Sequence, residues 1–179
     1  MNNGTILLGV TGSISAYKAP SIANSLKREG YDVKIILTEA AKKFIGPLAF
    51  SGQGYDVYDD SSEESYTGVL HVDLAKADYL LIAPASANTI AKISHGFCDN
   101  LLTSCAKVIE PGRIILSPAM NTQMYLNPTT KDSLDYLKRQ GVEVIEPASK
   151  RLACGVQGVG ALPDSSIICN VINEKIFGD

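Results

Sequence analysis

Short apolar runs alternate along the chain with longer stretches in which apolar residues recur every three or four positions. Unbroken short runs are typical of strands buried on both faces of a parallel sheet, and the longer period is typical of helices. The runs predict five strands, over residues 5–10, 32–38, 79–83, 113–117 and 142–145. The longer stretches predict helices over residues 16–29, 39–44, 101–108, 130–140 and 164–177, and one more that begins near residue 89. Strands that alternate with helices predict one α/β domain over residues 1–179, with a doubly wound parallel sheet.

The first predicted strand is followed by a glycine-containing turn over residues 11–15. Such a turn before a helix offers backbone N–H groups and the positive end of the helix dipole to a phosphate. Because neither Gly-x-Gly-x-x-Gly nor the Gly-Lys-Ser/Thr of a P-loop is present, a mononucleotide fits better than a dinucleotide. A plain turn explains the pattern about as well. Thr38, at the end of the second strand, either bonds the phosphate or caps the helix over residues 39–44.

The apolar strand over residues 79–83 runs into Pro84 and then into small polar residues. Proline cannot donate to a sheet ladder, so the strand is expected to end before it. Ser86 is placed to cap the next helix. Open α/β sheets bind ligands in such loops, although an ordinary strand-to-helix turn is slightly favoured by this stretch alone.

Two loops and two histidines add candidate chemistry. Residues 118–125, after the fourth strand, contain two methionines and an asparagine, and methionines in such places are usually core filler. His71 precedes the central strand and, without further context, is more simply structural than catalytic. His95 is expected to serve the end of its helix. Residues 152–163 are rich in glycine, which predicts a mobile loop or flap.

Composition narrows the possible function classes. Apolar residues make up 45% of the chain and charged residues 20%, as in ordinary globular proteins, and the net charge of −3 argues against a nucleic-acid partner. No apolar run approaches the roughly 20 residues of a membrane span. The N-terminus lacks the basic segment of a secretion signal, so we expect a cytoplasmic protein without a membrane partner.

Residues 46–68 are expected to be irregular, because turn residues and acidic side chains are frequent there. This stretch contains an acidic cluster, which is formed by Asp59, Asp60, Glu63 and Glu64. We expect the cluster to be a solvated loop rather than a metal site. The four cysteines of the chain lack the paired spacing of metal ligands and are expected to be free thiols. Three of them are expected to be small core residues: Cys98, Cys105 and Cys169. Cys154 differs, because it lies in the glycine-rich stretch.

Five stretches, taken in order, resemble the homo-oligomeric flavin-containing cysteine decarboxylases. They are residues 12–15, His71 with residues 73–75, residues 84–89, residues 118–124, and residues 153–155 with the glycines that follow. Each motif is weak by itself, whereas the ordered set is specific and covers nearly the whole chain. The resemblance implies a flavodoxin-like, Rossmann-like three-layer sandwich with bound FMN. It also implies a homo-oligomer, either a trimer or a dodecamer of trimers.

The resemblance implies roles for individual residues as well. His71 is expected to be the catalytic base, Asn121 to hold the substrate carboxylate, and Cys154 to be the acid on a flap over the site. FMN is expected to contact Gly12, Ser13, Ile14, Thr38, Phe44, Ser86, Ala87, Asn88, Thr89 and Met120. The substrate is expected to contact Asn121, Met124, Ala153 and Gly155.

The implied reaction is FMN-dependent decarboxylation of a cysteine-derived carboxylate, foremost 4′-phosphopantothenoylcysteine to 4′-phosphopantetheine in coenzyme A synthesis. Loss of CO₂ needs an electron sink, which oxidation of the thiol to a thioaldehyde creates, and flavin suits that oxidation. An imidazole suits removal of the thiol proton. The amide of Asn121 can hold the carboxylate without adding a charge, and an unperturbed thiol such as that expected for Cys154 is protonated at neutral pH.

Departures from the family pattern leave the substrate open. Tyr125 stands where relatives usually have tryptophan, which we expect to be tolerated, and Val156 and Ala161-Leu162 replace an acidic residue and an Arg-Met pair of the flap. One alternative is a peptidyl-cysteine decarboxylase that acts on the C-terminal cysteine of a precursor peptide. Another, of a different class, is a non-catalytic FMN-binding regulatory subunit. A flavin prenyltransferase is disfavoured because no Arg/Lys-rich set for a prenyl phosphate is seen, and no fused synthetase domain is expected in 179 residues.

Overall fold

Six parallel strands form the central sheet of the protein, in a computed structural model that describes residues 3–151, 153, 155 and 157–178. The strands are β1 (Thr5–Val10), β2 (Asp32–Leu37), β3 (Asp56–Tyr58), β4 (Tyr79–Ala85), β5 (Ile114–Pro118) and β6 (Glu143–Val144). Their spatial order is β3-β2-β1-β4-β5-β6, so the chain winds outwards in both directions from the β1–β4 pair. The predicted doubly wound parallel sheet is therefore confirmed, with its topological switch point between β1 and β4.

Helices cover both faces of this sheet and complete a three-layer sandwich. They are α1 (Ala19–Arg28), α2 (Leu48–Ser51), α3 (Ser62–Ser65), α4 (Leu70–Leu74), α5 (Ala87–Ser94), α6 (Leu101–Val108), α7 (Thr122–Leu126), α8 (Pro128–Arg139) and α9 (Ser165–Phe177). α1 and α9 bury their apolar residues in one core, and α4, α5, α6 and α8 do so in the other. Leu81 of β4 faces the first core and Leu80 and Ile82 face the second, because side chains alternate along a strand. This double burial explains the unbroken apolar run of β4.

Three parts of the sequence expectation are wrong in detail. β4 continues through Pro84 to Ala85 instead of ending before Pro84, and its register with β5 shifts between Ile82 and Ala85. Pro84 therefore lies where the hydrogen-bond ladder between β4 and β5 is interrupted, so its missing N–H removes no bond from that ladder. The predicted helix over residues 39–44 is only a short 3-10 turn, Ala41–Lys43. Residues 46–68 are not wholly irregular, since they contain α2, α3 and the short edge strand β3, which pairs with β2.

The glycine-rich stretch also has more order than predicted. β7 (Ala148–Arg151) and β8 (Gln157–Ala161) form an antiparallel hairpin apart from the central sheet. Asp164 does not cap α9 through its side chain, because its carboxylate accepts a bond from Lys150 Nζ of β7 at 2.7 Å. The hairpin is thus tied to the start of the last helix by a charge pair.

Two of the three cysteines expected in the core are buried there, Cys105 and Cys169. Burial raises the pKa of the Cys105 thiol to about 12 and that of Cys169 to about 11, so both are protonated at neutral pH. The expectation for Cys98 is wrong, because this thiol is exposed in the loop between α5 and α6. Among the residues that the structure describes, no cluster of three or more metal-ligating side chains occurs, and no helix is long and apolar enough to cross a membrane.

Candidate active site

A cavity of about 650 Å³ lies at the carboxyl ends of β1, β4 and β5. Its lining comes from the turn after β1, Phe44 in the segment after β2, the loops after β4 and β5, and the β7–β8 hairpin. This is the switch point of the doubly wound sheet, where chain segments diverge and leave a crevice. The fold therefore brings together five segments that are separated in the sequence.

The turn after β1 is shaped by Gly12 and Ser13. A Cβ atom on Gly12 would lie 2.6 Å from the Cβ of Ala40, so only glycine fits without displacing the neighbouring loop. Ser13 caps the 3-10 turn Ile14–Lys18, since its Oγ accepts a bond from Ser15 N at 3.3 Å. The same hydroxyl donates to the carbonyl of Ala119 at 3.1 Å. One serine thus ties the turn after β1 to the loop after β5.

Thr11 holds the loop after β4 in place. Its fully buried hydroxyl donates to the carbonyl of Pro84 at 2.7 Å and accepts from Ser86 N at 2.9 Å. Ser86 in turn caps α5 as predicted, because its Oγ accepts from Thr89 N at 3.3 Å. The rim of the cavity is therefore a connected set of hydrogen bonds.

Replacement of Thr11 by valine is expected to lower the free energy of unfolding by about 1–3 kcal/mol, because a buried carbonyl and a buried N–H lose their partner. Urea denaturation of the two proteins measures the difference. Thr11→Ser keeps the hydroxyl and is the matched control, which should lose far less. A loss in Thr11→Ser with none in Thr11→Val, which keeps the methyl group, would mean that packing of the methyl group, rather than the hydrogen bonds, stabilises this loop.

The loop after β5 presents Met120 and Asn121 to the cavity, and the short helix α7 presents Met124. Asn121 caps α7, since its Oδ1 accepts from Gln123 N at 2.8 Å. This bond uses the acceptor end of the side-chain amide and fixes the orientation of its donor end. An asparagine in this position can offer N–H groups to a carboxylate without a charge.

The β7–β8 hairpin docks onto the same loop through Gly160. Met120 N donates to the carbonyl of Gly160 at 2.9 Å. Gly160 has φ of +134°, and a Cβ atom there would collide with the carbonyl oxygen of Met120. Both the backbone conformation and the close approach therefore require glycine.

Replacement of Gly160 by alanine is expected to cost about 1–3 kcal/mol of stability and to move the loop that carries Asn121. The measurements are the thermal midpoint and the amount of flavin retained after desalting. Gly112→Ala is the matched control, because an added Cβ at Gly112 meets nothing within 4 Å. A Gly160→Ala protein with the stability and flavin content of this control would contradict the expectation.

Most of the residues predicted to contact a cofactor or substrate line the cavity, namely Gly12, Ser13, Ile14, Phe44, Ser86, Ala87, Met120, Asn121, Met124 and Ala153. Thr38 is not among them, and its hydroxyl donates to Val10 O at 3.4 Å and accepts from Ala41 N at 3.2 Å. Both bonds go to backbone atoms of the protein, and the predicted bond of Thr38 to a phosphate stays a prediction. Asn88, Thr89 and Gly155 also lie outside the lining, while Cys154 and Val156 are outside the described residues.

His71 lies on α4 and is not among the described residues that line the cavity. Its Nδ1 is 2.8 Å from Oε1 of Glu63, and its side chain is 32% exposed. A single copy of the chain thus does not bring His71 and Asn121 into one cavity. His95 serves the C-terminal end of α5 as predicted, with its Nδ1 at 2.9 Å from the carbonyl oxygen of Ala91.

Two features of the site were not found by sequence reasoning. Three cationic side chains line the cavity, Lys18, Lys150 and Arg151, and nothing in their spacing along the chain indicates that they meet. Tyr125 is buried, and its hydroxyl donates to Glu146 Oε2 at 2.5 Å. Burial and this carboxylate raise the pKa of Tyr125 well above its ordinary value. The tyrosine is thus accommodated by a hydrogen-bond partner next to the site.

The lining fits the flavin mononucleotide that the sequence predicts. A cavity of about 650 Å³ is within the range of about 300–1,000 Å³ usual for cofactor sites. Ile14, Phe44 and Met120 offer apolar surface for a flat ring, and Ser86 and Ala87 are small enough for the ring to approach the backbone. The turn at residues 12–14 lies beside them, at the start of the 3-10 turn Ile14–Lys18, and its Ser13 N donates to the carbonyl of Thr11 at 2.8 Å.

Comparison with known proteins supports the same interpretation. The profile of the family described as Flavoprotein matches residues 1–177. A probable phosphopantothenoylcysteine decarboxylase of Streptococcus mutans is 45% identical over 176 residues, which cover 96% of this chain and 98% of that protein. The coenzyme A biosynthesis bifunctional protein CoaBC of Bacillus subtilis is 37% identical over 182 residues, and the chain spans 44% of its length.

Solved structures with the same fold agree with these relatives. A Cys-to-Ser mutant of PPC decarboxylase, complexed with pantothenoylaminoethenethiol, superposes with a TM-score of 0.89 at 36% identity over 94% of this chain and 96% of that one. The FMN binding protein AtHal3 gives 0.87 at 36% identity, over 96% and 95% of the two chains. The peptidyl-cysteine decarboxylase EpiD gives 0.83 at 27% identity, over 94% and 97%. The fold is therefore flavodoxin-like, as predicted.

Proposed function

The chain belongs to the Flavoprotein family, and from this premise we propose that it is an FMN-dependent phosphopantothenoylcysteine decarboxylase. It converts 4′-phosphopantothenoylcysteine into 4′-phosphopantetheine in coenzyme A synthesis. The observation that carries this proposal is the cavity that joins the glycine turn after β1 to the loop bearing Asn121. The matching relative from Streptococcus mutans, which bears the corresponding name, covers nearly all of both chains.

FMN is the cofactor, and residues that line the cavity would hold it. The backbone of Gly12, Ser13 and Ile14 would receive the phosphate, while Phe44, Ser86, Ala87 and Met120 would flank the ring. When bound, FMN supplies the oxidation that turns the substrate thiol into an electron sink for the loss of CO₂.

Three residues of this chain carry the proton and binding steps. His71 takes the proton of the substrate thiol through a ring nitrogen. Asn121 holds the carboxylate through its amide N–H groups, which add no charge that would favour the ionised ground state. Cys154 donates the proton that completes a saturated thiol product. Support for the last role comes from the Cys-to-Ser mutant of PPC decarboxylase, whose bound ligand is an enethiol.

A homotrimer, or a dodecamer of trimers, is the proposed assembly. Its support in this chain is the position of His71 on α4, away from the described lining of the cavity that contains Asn121. A second copy would then supply His71 to that cavity. Native mass spectrometry of the flavin-loaded protein tests the assembly. A monomer that keeps flavin and full activity would disprove it.

The cytoplasm is the proposed location of the enzyme. The described cysteines Cys98, Cys105 and Cys169 are free thiols, as expected in a reducing compartment. Immunolocalisation or fractionation of the source cell tests this placement directly.

A peptidyl-cysteine decarboxylase is the second candidate, because EpiD shares the fold and was solved with a substrate peptide ending in cysteine. That peptide chemistry fits this chain less well, since EpiD is 27% identical and the Streptococcus mutans relative is 45% identical. A non-catalytic FMN-binding subunit is disfavoured by the presence of His71, Asn121 and Cys154 together.

Product analysis separates these candidates. The holoprotein is incubated with phosphopantothenoylcysteine and, separately, with cysteine-terminated peptides, and the products are identified by mass spectrometry. Formation of 4′-phosphopantetheine from the first substrate is expected. Turnover of the peptides alone would replace the proposal by the peptide reaction, and a flavin-loaded protein inactive on both would favour the regulatory subunit. FAD or a nicotinamide in place of FMN would contradict the cofactor assignment.

A further inference from the structure

The acidic segment over residues 59–64 is not simply a solvated loop. Asp59 accepts bonds from Lys42 Nζ at 2.8 Å and from Ser61 Oγ at 2.6 Å, and these bonds hold the pKa of the Asp59 carboxyl below its usual range. Asp60 Oδ1 accepts from Leu101 N at 2.8 Å, at the first residue of α6. Two consecutive aspartates thus fix the start of this segment to the body of the protein.

The fixed segment continues into α3, which carries Glu63 to His71. Glu63 Oε1 lies 2.8 Å from His71 Nδ1, with the two side chains 42% and 32% exposed. A carboxylate can only accept a hydrogen bond, so the ring nitrogen that faces it must carry the hydrogen. His71 is therefore held with hydrogen on Nδ1, which leaves Nε2 with a lone pair whenever the ring is neutral.

Asp73, on the same helix as His71, is not the carboxylate that serves this ring. It accepts bonds from Tyr66 OH at 2.9 Å and from Lys76 Nζ at 2.6 Å. Its charge is thereby used within a separate surface network, and the Lys76 ammonium and the Tyr66 hydroxyl hold the pKa of the Asp73 carboxyl below its usual range. Among the described residues, Glu63 is the one acidic side chain with a bond to His71.

We propose that Glu63 is a positioning residue for the decarboxylation, which orients the ring of His71 and sets its tautomer. This inference rests on the proposed function, in which His71 is the base. In the step concerned, the S–H bond of the substrate breaks and an N–H bond forms at Nε2. The proton stays on the ring, and the positive charge that it brings faces the Glu63 carboxylate. A carboxylate that accepts from one ring nitrogen orients the ring and sets which nitrogen carries the hydrogen.

The tautomer of His71 is the direct test. Histidine labelled with ¹⁵N is incorporated into the holoprotein, and solid-state ¹⁵N spectra distinguish protonated from unprotonated ring nitrogens at any assembly size. The chain has only two histidines, so His95→Asn assigns the spectrum by removing one spin system. In the neutral ring of the wild type, hydrogen on Nδ1 of His71 is expected. In Glu63→Ala, a shift towards hydrogen on Nε2 is expected, since no carboxylate then faces Nδ1.

Kinetics show whether the tautomer matters for the reaction. Glu63→Ala is expected to lower kcat by about tenfold or more with little change in KM, because part of the contribution of a correctly presented base is lost. Glu63→Gln keeps an acceptor oxygen and should recover part of the activity. Glu64→Ala is the matched control, because it removes a charge from the next residue, which is exposed and has no bond to His71, and it should leave kcat unchanged.

Each outcome decides the inference. Hydrogen on Nε2 in the wild type, or an unchanged His71 spectrum in Glu63→Ala, overturns it even when the wild type turns over its substrate. A changed tautomer with unchanged kcat overturns the positioning role as well. A wild type that is inactive on phosphopantothenoylcysteine refutes the proposed function separately, and the His71 spectrum still reports whether Glu63 sets the tautomer.

Discussion

Replacement of His71 by asparagine is expected to lower kcat for CO₂ release by about 10²- to 10⁴-fold while FMN stays bound. Asparagine is close in size to the imidazole ring but cannot accept and hold a proton at neutral pH. His71 lies on α4, outside the described lining of the cavity, so its loss should leave the turn at residues 12–14 and the loop at residues 86–87 undisturbed. Turnover is measured as product formed, and bound flavin as the visible absorbance of the desalted protein.

His95→Asn is the matched control for this variant, because it removes the other histidine of the chain. His95 bonds to the carbonyl of Ala91 at the end of α5, and no reaction role is assigned to it. Its loss should leave kcat close to that of the wild type. If His71→Asn also keeps its turnover, His71 is a structural histidine and the proposed base must be sought elsewhere.

Replacement of Cys154 by serine is expected to change the product. Oxidation of the thiol and loss of CO₂ precede the proposed role of Cys154, so both should still occur. A serine hydroxyl has a far higher pKa than a thiol and is a poor acid, so the product should remain an enethiol, lighter than the saturated thiol by about 2 Da. Mass spectrometry of the product after one turnover measures this difference directly.

Two results would change the role given to Cys154. The ordinary saturated product from Cys154→Ser would show that the cysteine has no part in proton transfer, since serine fills nearly the same volume. An enethiol from the wild type would favour the peptide decarboxylase reaction and remove the need for an acid. Val156, Ala161 and Leu162 depart from the expected family pattern and leave the substrate open, so the product of the wild type needs to be identified as well. Ala161 and Leu162 both line the cavity, and Leu162 is almost fully buried.

The sequence did not predict two strand pairings, that of the edge strand β3 with β2 and that of β7 with β8. β3 has three residues and lies at the edge of the sheet, where side chains are only partly buried and no apolar run forms. The β7–β8 hairpin is built from glycine-rich and charged residues, whose composition is typical of a loop. In both cases pairing with a neighbouring strand, rather than local preference, decides the structure.

The bonds made by the acidic segment over residues 59–64 could not be predicted from the sequence either. Asp59, Asp60 and Glu63 form a charge run in the sequence, and such runs are usually solvated. Their partners Lys42, Leu101 and His71 are 8 to 41 positions away. Only the folded chain could show that one of these carboxylates faces a histidine.

The resemblance to a known family indicated most residues of the cavity, whereas the sequence pattern by itself determined the parallel sheet and the loops at its carboxyl edge. Those features depend on local patterns, because apolar runs, proline, glycine and capping side chains act on their own segment. Tertiary structure alone decided that the Thr38 hydroxyl bonds Val10 O and Ala41 N instead of lining the cavity, that His71 faces Glu63 instead of Asn121, and that three cations line one cavity. These facts depend on contacts between distant segments, whose side-chain directions are fixed by packing and hydrogen bonding after the chain has folded.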